Sequence, residues 1–288
     1  MTHVKDIFRK PLMMLPVLAA IGFLLTASLG SDIIAEPQNV PNNALLPDIT
    51  PGIPKHLNIH NQQQNEFLRF TNVWANVGDG ALEFEEGQVV GNQQQALQNL
   101  YDNPEDFGIP PNSIWSEVTG DFIFHPNHNH WHIDDVGEFS VRIDDNGSPG
   151  TIAPGADSLK IGFCIVDVFR YDEDKSSPTS EKIYWDCETD LQGIQPGWAD
   201  QYHQSVEGNQ INISNLDDGT YFLVHKWNPL DLFVDEDDTN NEAWVKFDLS
   251  QNNNGNGNRK ITILEEFAPE CQPDGSTPGI CGEINKNS

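Results

Sequence analysis

The stretch EFLRFTNVWANVG, Glu66 to Gly78, decides the fold. Phe67, Arg69 and Thr71 alternate with Leu68, Phe70 and Asn72. That period of two puts successive side chains on opposite faces of a strand. Working outward, LKIGFCIVDVF (159–169), GTYFLVHKWNP (219–229) and NEAWVKFDLS (241–250) also read as strands, rich in aromatic and β-branched residues. Gly, Pro, Asn and Asp punctuate the intervals between them. Many short strands with turns at such spacing predict an all-β chain, a single β-sandwich with few helices. Only VVGNQQQALQNLYDN, 89–103, predicts a helix. ITILEEF, 261–267, reads as one more strand or as a short tail packed on the sandwich.

The expected organisation is a leader at 1–30, a polar linker at 31–45 and the sandwich at 46–250. An Asn/Gly-rich linker (251–260) and a C-terminal tail (261–288) with a probable disulfide follow. The leader pairs a short basic start with an apolar run of 19 residues, Pro11 to Leu29, and small residues at Ala27, Ser28 and Gly30. It matches an export signal. Its length also approaches the ~20 residues that span a bilayer, so an uncleaved anchor is the alternative. The chain is therefore expected to be secreted or extracytoplasmic, with membrane contact only through that anchor. Export permits disulfides. Cys164, Cys187, Cys271 and Cys281 show no C-x-x-C spacing, which argues against a zinc ribbon. Cys271 and Cys281 close a short Pro/Gly-rich loop and are expected to bridge, leaving Cys164 and Cys187 for each other.

The 288 residues carry 44 Asp plus Glu against 15 Lys plus Arg, a formal net charge of −29. Loss of residues 1–30 would make it −31, with 43 acidic against 12 basic residues. Such a chain is no general nucleic-acid binder, because neutralising phosphates needs an excess of Lys and Arg. Seven Trp and fifteen Phe argue against a disordered acidic chain. The charge is compatible with a cationic substrate, a bound divalent cation or a salt-adapted surface.

Four of the nine His lie within eight residues: His125, His128, His130 and His132. On a strand, His128, His130 and His132 share one face, with neighbours about 6.6 to 7 Å apart. The other face would carry Trp131, Ile133, Phe139, Val141 and Ile143 into the core. Three neutral imidazoles suit copper, zinc or nickel, and copper ranks highest in raw affinity. His125 lies outside this row and is expected beside the ligands or against a substrate.

HPNHNHWH, His125 to His132, followed by Glu138-Phe139-Ser140, resembles the copper-binding signature of the lysyl oxidases. LKIGFC (159–164) resembles the family segment that holds the cofactor lysine, and GIQPGWADQY (193–202) the segment that holds the cofactor tyrosine. DGTYFLV (218–224), WNP (227–229) and DTNN (238–241) continue the resemblance in the same order, over residues 46–250. By itself Lys160 would read as a snorkelling lysine and Tyr202 as an amphipathic surface residue. The resemblance instead implies that copper on His128, His130 and His132, with dioxygen, oxidises the Tyr202 ring and that the Lys160 amine adds to it, giving lysine tyrosylquinone. It implies an oxidase that converts primary amines, whether peptidyl lysine or small amines, to aldehydes with release of hydrogen peroxide and ammonia. A base for the α-proton would come from Asp134, Asp135, His125 or His203. Animal members carry a Cys where this chain has Asn127, while Cys164 and Cys187 match two family cysteines.

VDEDDTNN, 234–241, lacks the central Gly and terminal Glu of an EF-hand. The resemblance places a structural calcium site there, held by Asp235, Asp237, Asn240 and Asn241 with the Asp48 side chain and the Ile49 carbonyl. The competing reading is a non-catalytic copper- or zinc-binding β-sandwich of the cell surface, and a zinc hydrolase using the same three His is a third.

Overall fold

The computed structural model describes residues 39–156, 158–175, 177–206, 209–251, 259–272, 277 and 280–282, with 158–160 as backbone alone. The expected leader, residues 31–38 of the first linker, 252–258 of the second and 273–276, 278–279 and 283–288 of the tail lie outside the described residues.

Among the described residues sixteen strands follow in chain order. They begin with β1 (Ile49–Pro51), β2 (Lys55–Gln62), β3 (Asn65–Asn76), β4 (Leu82–Val90), β5 (Gln93–Leu100), β6 (Trp115–His125), β7 (His130–Asp145) and β8 (Ser148–Ile152). The second half holds β9 (Ser158–Phe163), β10 (Phe169–Arg170), β11 (Gln192–Ile194), β12 (Trp198–Tyr202), β13 (Gln210–Asn212), β14 (Gly219–Trp227), β15 (Glu242–Gln251) and β16 (Arg259–Phe267). The helical elements among the described residues are 3-10 turns of three residues each, at Pro104–Asp106, Pro110–Asn112 and Asp238–Asn240. The chain is all-β, as its alternation predicts.

The strands form two antiparallel sheets. The six-stranded sheet runs β1-β3-β12-β10, with β2 and β13 also paired to β3. The ten-stranded sheet runs β11-β4-β5-β6-β7-β14-β15-β16, with β8 and β9 also paired to β7. ITILEEF is thus a strand, and the sheet runs past residue 250 to Phe267. One buried cluster draws on both sheets: Ile49, Leu68, Phe70 and Trp74 from one, Phe84, Phe139, Leu223 and Phe247 from the other. In β3 the alternation holds over Leu68 and Phe70, which are buried, and Phe67 and Arg69, which are not. From Thr71 onward both faces are covered. Trp74 is the hub, with ring centroids 5.2 Å from Trp227 and 4.0 Å from His225. Gly137 in β7 lets this ring in: a Cβ there would stand 2.6 Å from it.

The helix expected at 89–103 is absent. β4 ends at Val90, Gly91 turns the chain at φ +65, and β5 pairs with β4 on one edge and β6 on the other. Gln, Ala and Leu favour a helix intrinsically. Here two ladders and a reciprocal bond outweigh that preference. Gln98 donates to the Val234 carbonyl (2.9 Å) and accepts from the Val234 N–H (2.8 Å). Ile143 is also corrected: it stands on the exposed side, 37% accessible, near the open end of β7. Both expected disulfides are present, Cys164–Cys187 and Cys271–Cys281.

Candidate functional site

The histidines do not lie in one strand row. β6 ends at His125 and β7 begins at His130, with these two residues opposite each other in register. His128 belongs to the intervening turn, where Asn129 adopts φ 57 and the N–H groups of His128 and Asn129 both donate to the His125 carbonyl. The hairpin turn therefore carries His128 back over the strand instead of continuing it. The three imidazoles still converge: their ligating atoms lie within 4.8 Å of one another. His130 Nε2 and His132 Nε2 stand 3.0 Å apart. His125 joins the cluster, its ring stacked on His128 at 4.2 Å and on His132 at 5.0 Å.

Burial pushes the His132 imidazole down to about 4, and the neighbouring imidazoles His130, His125 and His128 push the same way. Burial lowers His130 as well. The neutral ring is the form that binds a metal, and its other nitrogen is usually fixed by a hydrogen bond. The Gly162 backbone lies near enough to His132 to act weakly in the opposite direction to burial. Three ring nitrogens within 4.8 Å of one another fit a soft or borderline divalent metal.

β9 brings the next element alongside. It runs against β7 with Phe163 opposite Ile133 and Lys160 opposite Glu138. Gly162 lies so close to β7 that a Cβ would meet the Ile133 carbonyl at 2.7 Å. Tyr202, at the end of β12, stacks its ring 4.2 Å from Phe163, and its hydroxyl donates to the Cys164 carbonyl. The Cys164–Cys187 disulfide then ties the end of β9 to the 171–191 loop. Cys187 in turn accepts the Trp131 N–H at 2.9 Å. Gln192 completes the tie, donating to the Trp131 and Glu188 carbonyls and accepting from the Ile165 N–H.

These contacts border an open cavity of about 440 Å³ lined by His128, His130, Cys164, Cys187, Asp200, Gln201 and Tyr202, with Val166, Val168 and Val206 supplying apolar wall. Burial and the Asp200 charge hold the Tyr202 phenol well above its ordinary range, hence neutral. Asp200 is buried, at 1% exposure, and sits two residues before Tyr202. Sequence reasoning placed it in the tyrosine segment without giving it a part; its alternation with Tyr202 on one strand face was the available signal. Of the expected bases, His203 is exposed and bonded to the Ser205 hydroxyl at 2.9 Å. Asp134 and Asp135 lie where β7 breaks register between Ile133 and Gly137.

A second cluster joins the start of the domain to the 234–241 turn. Ile49 donates its N–H to Asp235 Oδ1 at 2.9 Å, and Asn240 donates to Asp48 Oδ1 at 2.8 Å. Asp235 Oδ2, Asn240 Oδ1 and Asn241 Oδ1 are buried acceptors with no donor. Burial raises Asp48 to about 6 and Asp235 to about 8, with nearby acids adding. Asp237 stands at the exposed rim, where its carboxylate caps Thr239. Buried oxygens without donors are groups that a hard cation could satisfy.

A family model described as lysyl oxidase matches residues 113–256, half of the chain. The chain belongs to the lysyl oxidase family. The matched span contains the His hairpin, β9, the Cys164–Cys187 loop, β12 and the 234–241 turn. Lysyl oxidase homolog 1 of Homo sapiens is 27% identical over 141 residues, 46% of this chain and 22% of that protein. Protein-lysine 6-oxidase of Homo sapiens is 27% identical over 140 residues, 46% of this chain and 31% of that protein. Its Gallus gallus counterpart is 28% identical over 141 residues. The match thus spans about a fifth to a third of the length of these lysyl oxidases.

Proposed function

We propose that this lysyl oxidase family member is a secreted or extracytoplasmic copper-dependent amine oxidase acting on peptidyl lysine or small primary amines. Its cofactor is lysine tyrosylquinone made from Lys160 and Tyr202. The observation that carries the reading is the shared cavity: Tyr202 opens into the same space as His128 and His130, beside the strand that bears Lys160.

His128, His130 and His132 would hold the copper. When bound, copper and the quinone supply oxidation of the Tyr202 ring and then an electrophilic carbonyl that takes two electrons from an amine. The chain's own contributions follow from its geometry. The Cys164–Cys187 bridge and Gln192 hold the Tyr202 wall against the His hairpin, so the reacting groups need not be ordered anew at each turnover. The valines of the cavity exclude water around a carbonyl that water would otherwise compete for. The expected products are an aldehyde, ammonia and hydrogen peroxide, with dioxygen as final acceptor.

Asp48, Asp235, Asn240 and Asn241 would hold calcium, with Ile49 and Asp237 at its margin. Three donorless buried oxygens support this reading. The ion would pin β1 to the 234–241 turn, a structural part. The domain would begin at residue 46 and extend beyond 250 to include β16, with its leader at 1–30.

The test is an aerobic assay of the copper-loaded chain with a primary amine. Equimolar aldehyde and peroxide, abolished by prior phenylhydrazine, are expected. Tight copper binding without peroxide from any amine would sink the oxidase and leave a metal carrier.

A further inference from the structure

The cavity contains a carboxylate that the reading above does not use. Asp200 lies in β12, opposite Trp74 in the neighbouring strand, and lines the cavity with Tyr202, His128 and His130. Asp200 and Tyr202 are two residues apart on one strand, so they share a face at a spacing of about 7 Å. The carboxylate is 1% exposed, and neither oxygen has a hydrogen-bond partner. The Val166 and Gln201 amides lie near enough to favour its charge, yet neither meets hydrogen-bond geometry. Burial, the largest influence, pushes Asp200 well above the ordinary carboxylate range; the nearby Asp167 pushes the same way and Lys182 acts weakly against them, so the group holds a proton tightly once it takes one.

Asp167 is a telling contrast. It is equally buried, but it accepts from the Ile183, Tyr184 and Gln195 N–H groups and from the Gln195 amide. Glu83, the other buried acid nearby in sequence type, accepts from Tyr101, Tyr184, Asn99 and Gly108. Those two are saturated structural anchors. A buried carboxylate without donors is costly to a fold. Asp200 is therefore poor as an anchor and well placed as a reactant. Asp134, Asp135, His125 and His203 do not line this cavity.

We infer that Asp200 is the general base of the amine oxidation. This rests on the oxidase reading. The bond between hydrogen and the amine-bearing carbon breaks, and its proton passes to an Asp200 oxygen. Its electron pair would go to the quinone that Lys160 and Tyr202 would supply, a two-electron acceptor, as that carbon is oxidised. The proton leaves with the released products, and dioxygen reoxidises the ring.

The test compares copper-loaded full-length wild type, Asp200→Asn and Asp200→Glu. Three readouts are needed: the mass of the Lys160–Tyr202 cross-linked peptide, capture of phenylhydrazine, and turnover of benzylamine with hydrogen or deuterium on its α-carbon. Phenylhydrazine has no α C–H bond to break, so its capture needs a quinone but no base. Asp200→Asn is expected to keep the cross-link and the capture while turnover falls at least about 100-fold. Asp200→Glu is expected to recover part of the rate with a shifted pH profile and a deuterium effect no smaller than wild type's. Melting temperatures of the variants should stay within about 5 °C of wild type or rise. Turnover of Asp200→Asn within a few-fold of wild type would overturn the inference. So would loss of the cross-link in both variants, which would move Asp200 to cofactor formation, or melting of both well below wild type, which would make it an anchor. Wild type without a cross-link would instead overturn the oxidase reading itself.

Discussion

At the residue scale the proposed metal centre would rest on three ring nitrogens, and their parts separate by substitution. Alanine at His132 or His130 removes a ligand and should abolish stoichiometric copper, read by metal analysis after dialysis. Alanine at His125 removes only a stacked neighbour and should cost about 10- to 100-fold in affinity. Equal losses from all three would give His125 a ligand's part. The oxygen cluster behaves differently. Asp48 and Asp235 bind protons more tightly folded, at about 6 and about 8, than as free acids. Their contribution to stability is full below about pH 4 and is lost as pH rises through those values. The metal-stripped chain should therefore melt lower as pH rises from about 5 to 8, and calcium should cancel the trend by replacing the protons. A flat profile, unmoved by calcium, would remove the calcium reading. The His cluster was legible from the residues themselves, whereas Lys160 and Tyr202 stood out only through the resemblance of their segments to those of the family. The sequence hid Asp200 because an Asp two residues from a Tyr is ordinary until its donors are counted.

At the scale of elements, the site depends on how β7, β9 and β12 are held together. The Cys164–Cys187 bridge closes a loop of sequence separation 23. Replacing both cysteines with serine should cost about 3 kcal/mol, seen as a lower melting temperature, and should slow cofactor formation by loosening Tyr202. Melting unchanged would mean that Gln192 and the strand pairings suffice. Gly137→Ala drives a methyl group into the Trp74 ring and should destabilise by about 1–3 kcal/mol in denaturant titration. The strands were legible wherever one face is apolar, as in EFLRF and GTYFLVHKW. QQQALQNL was not, because a polar strand between two partners draws its stability from ladder bonds that leave no periodic mark. The hairpin at His128 was missed for a related reason: strand alternation and a tight turn both fit four His in eight residues.

At the scale of the whole molecule, the net charge of −29 is a property of the surface more than of the site. Long-range attraction of cations by such a surface is screened by salt. For a polyamine substrate, kcat/KM should fall steeply with ionic strength, while for a neutral-bodied monoamine it should fall less. Equal slopes would leave the charge to salt adaptation. All of this depends on Lys160 and Tyr202 acting as one group. Proteolysis and mass spectrometry of copper-loaded, air-exposed protein test that most directly. The account expects a single peptide in which Lys160 and Tyr202 are covalently joined, and recovery of both residues unmodified from metal-replete protein would contradict it.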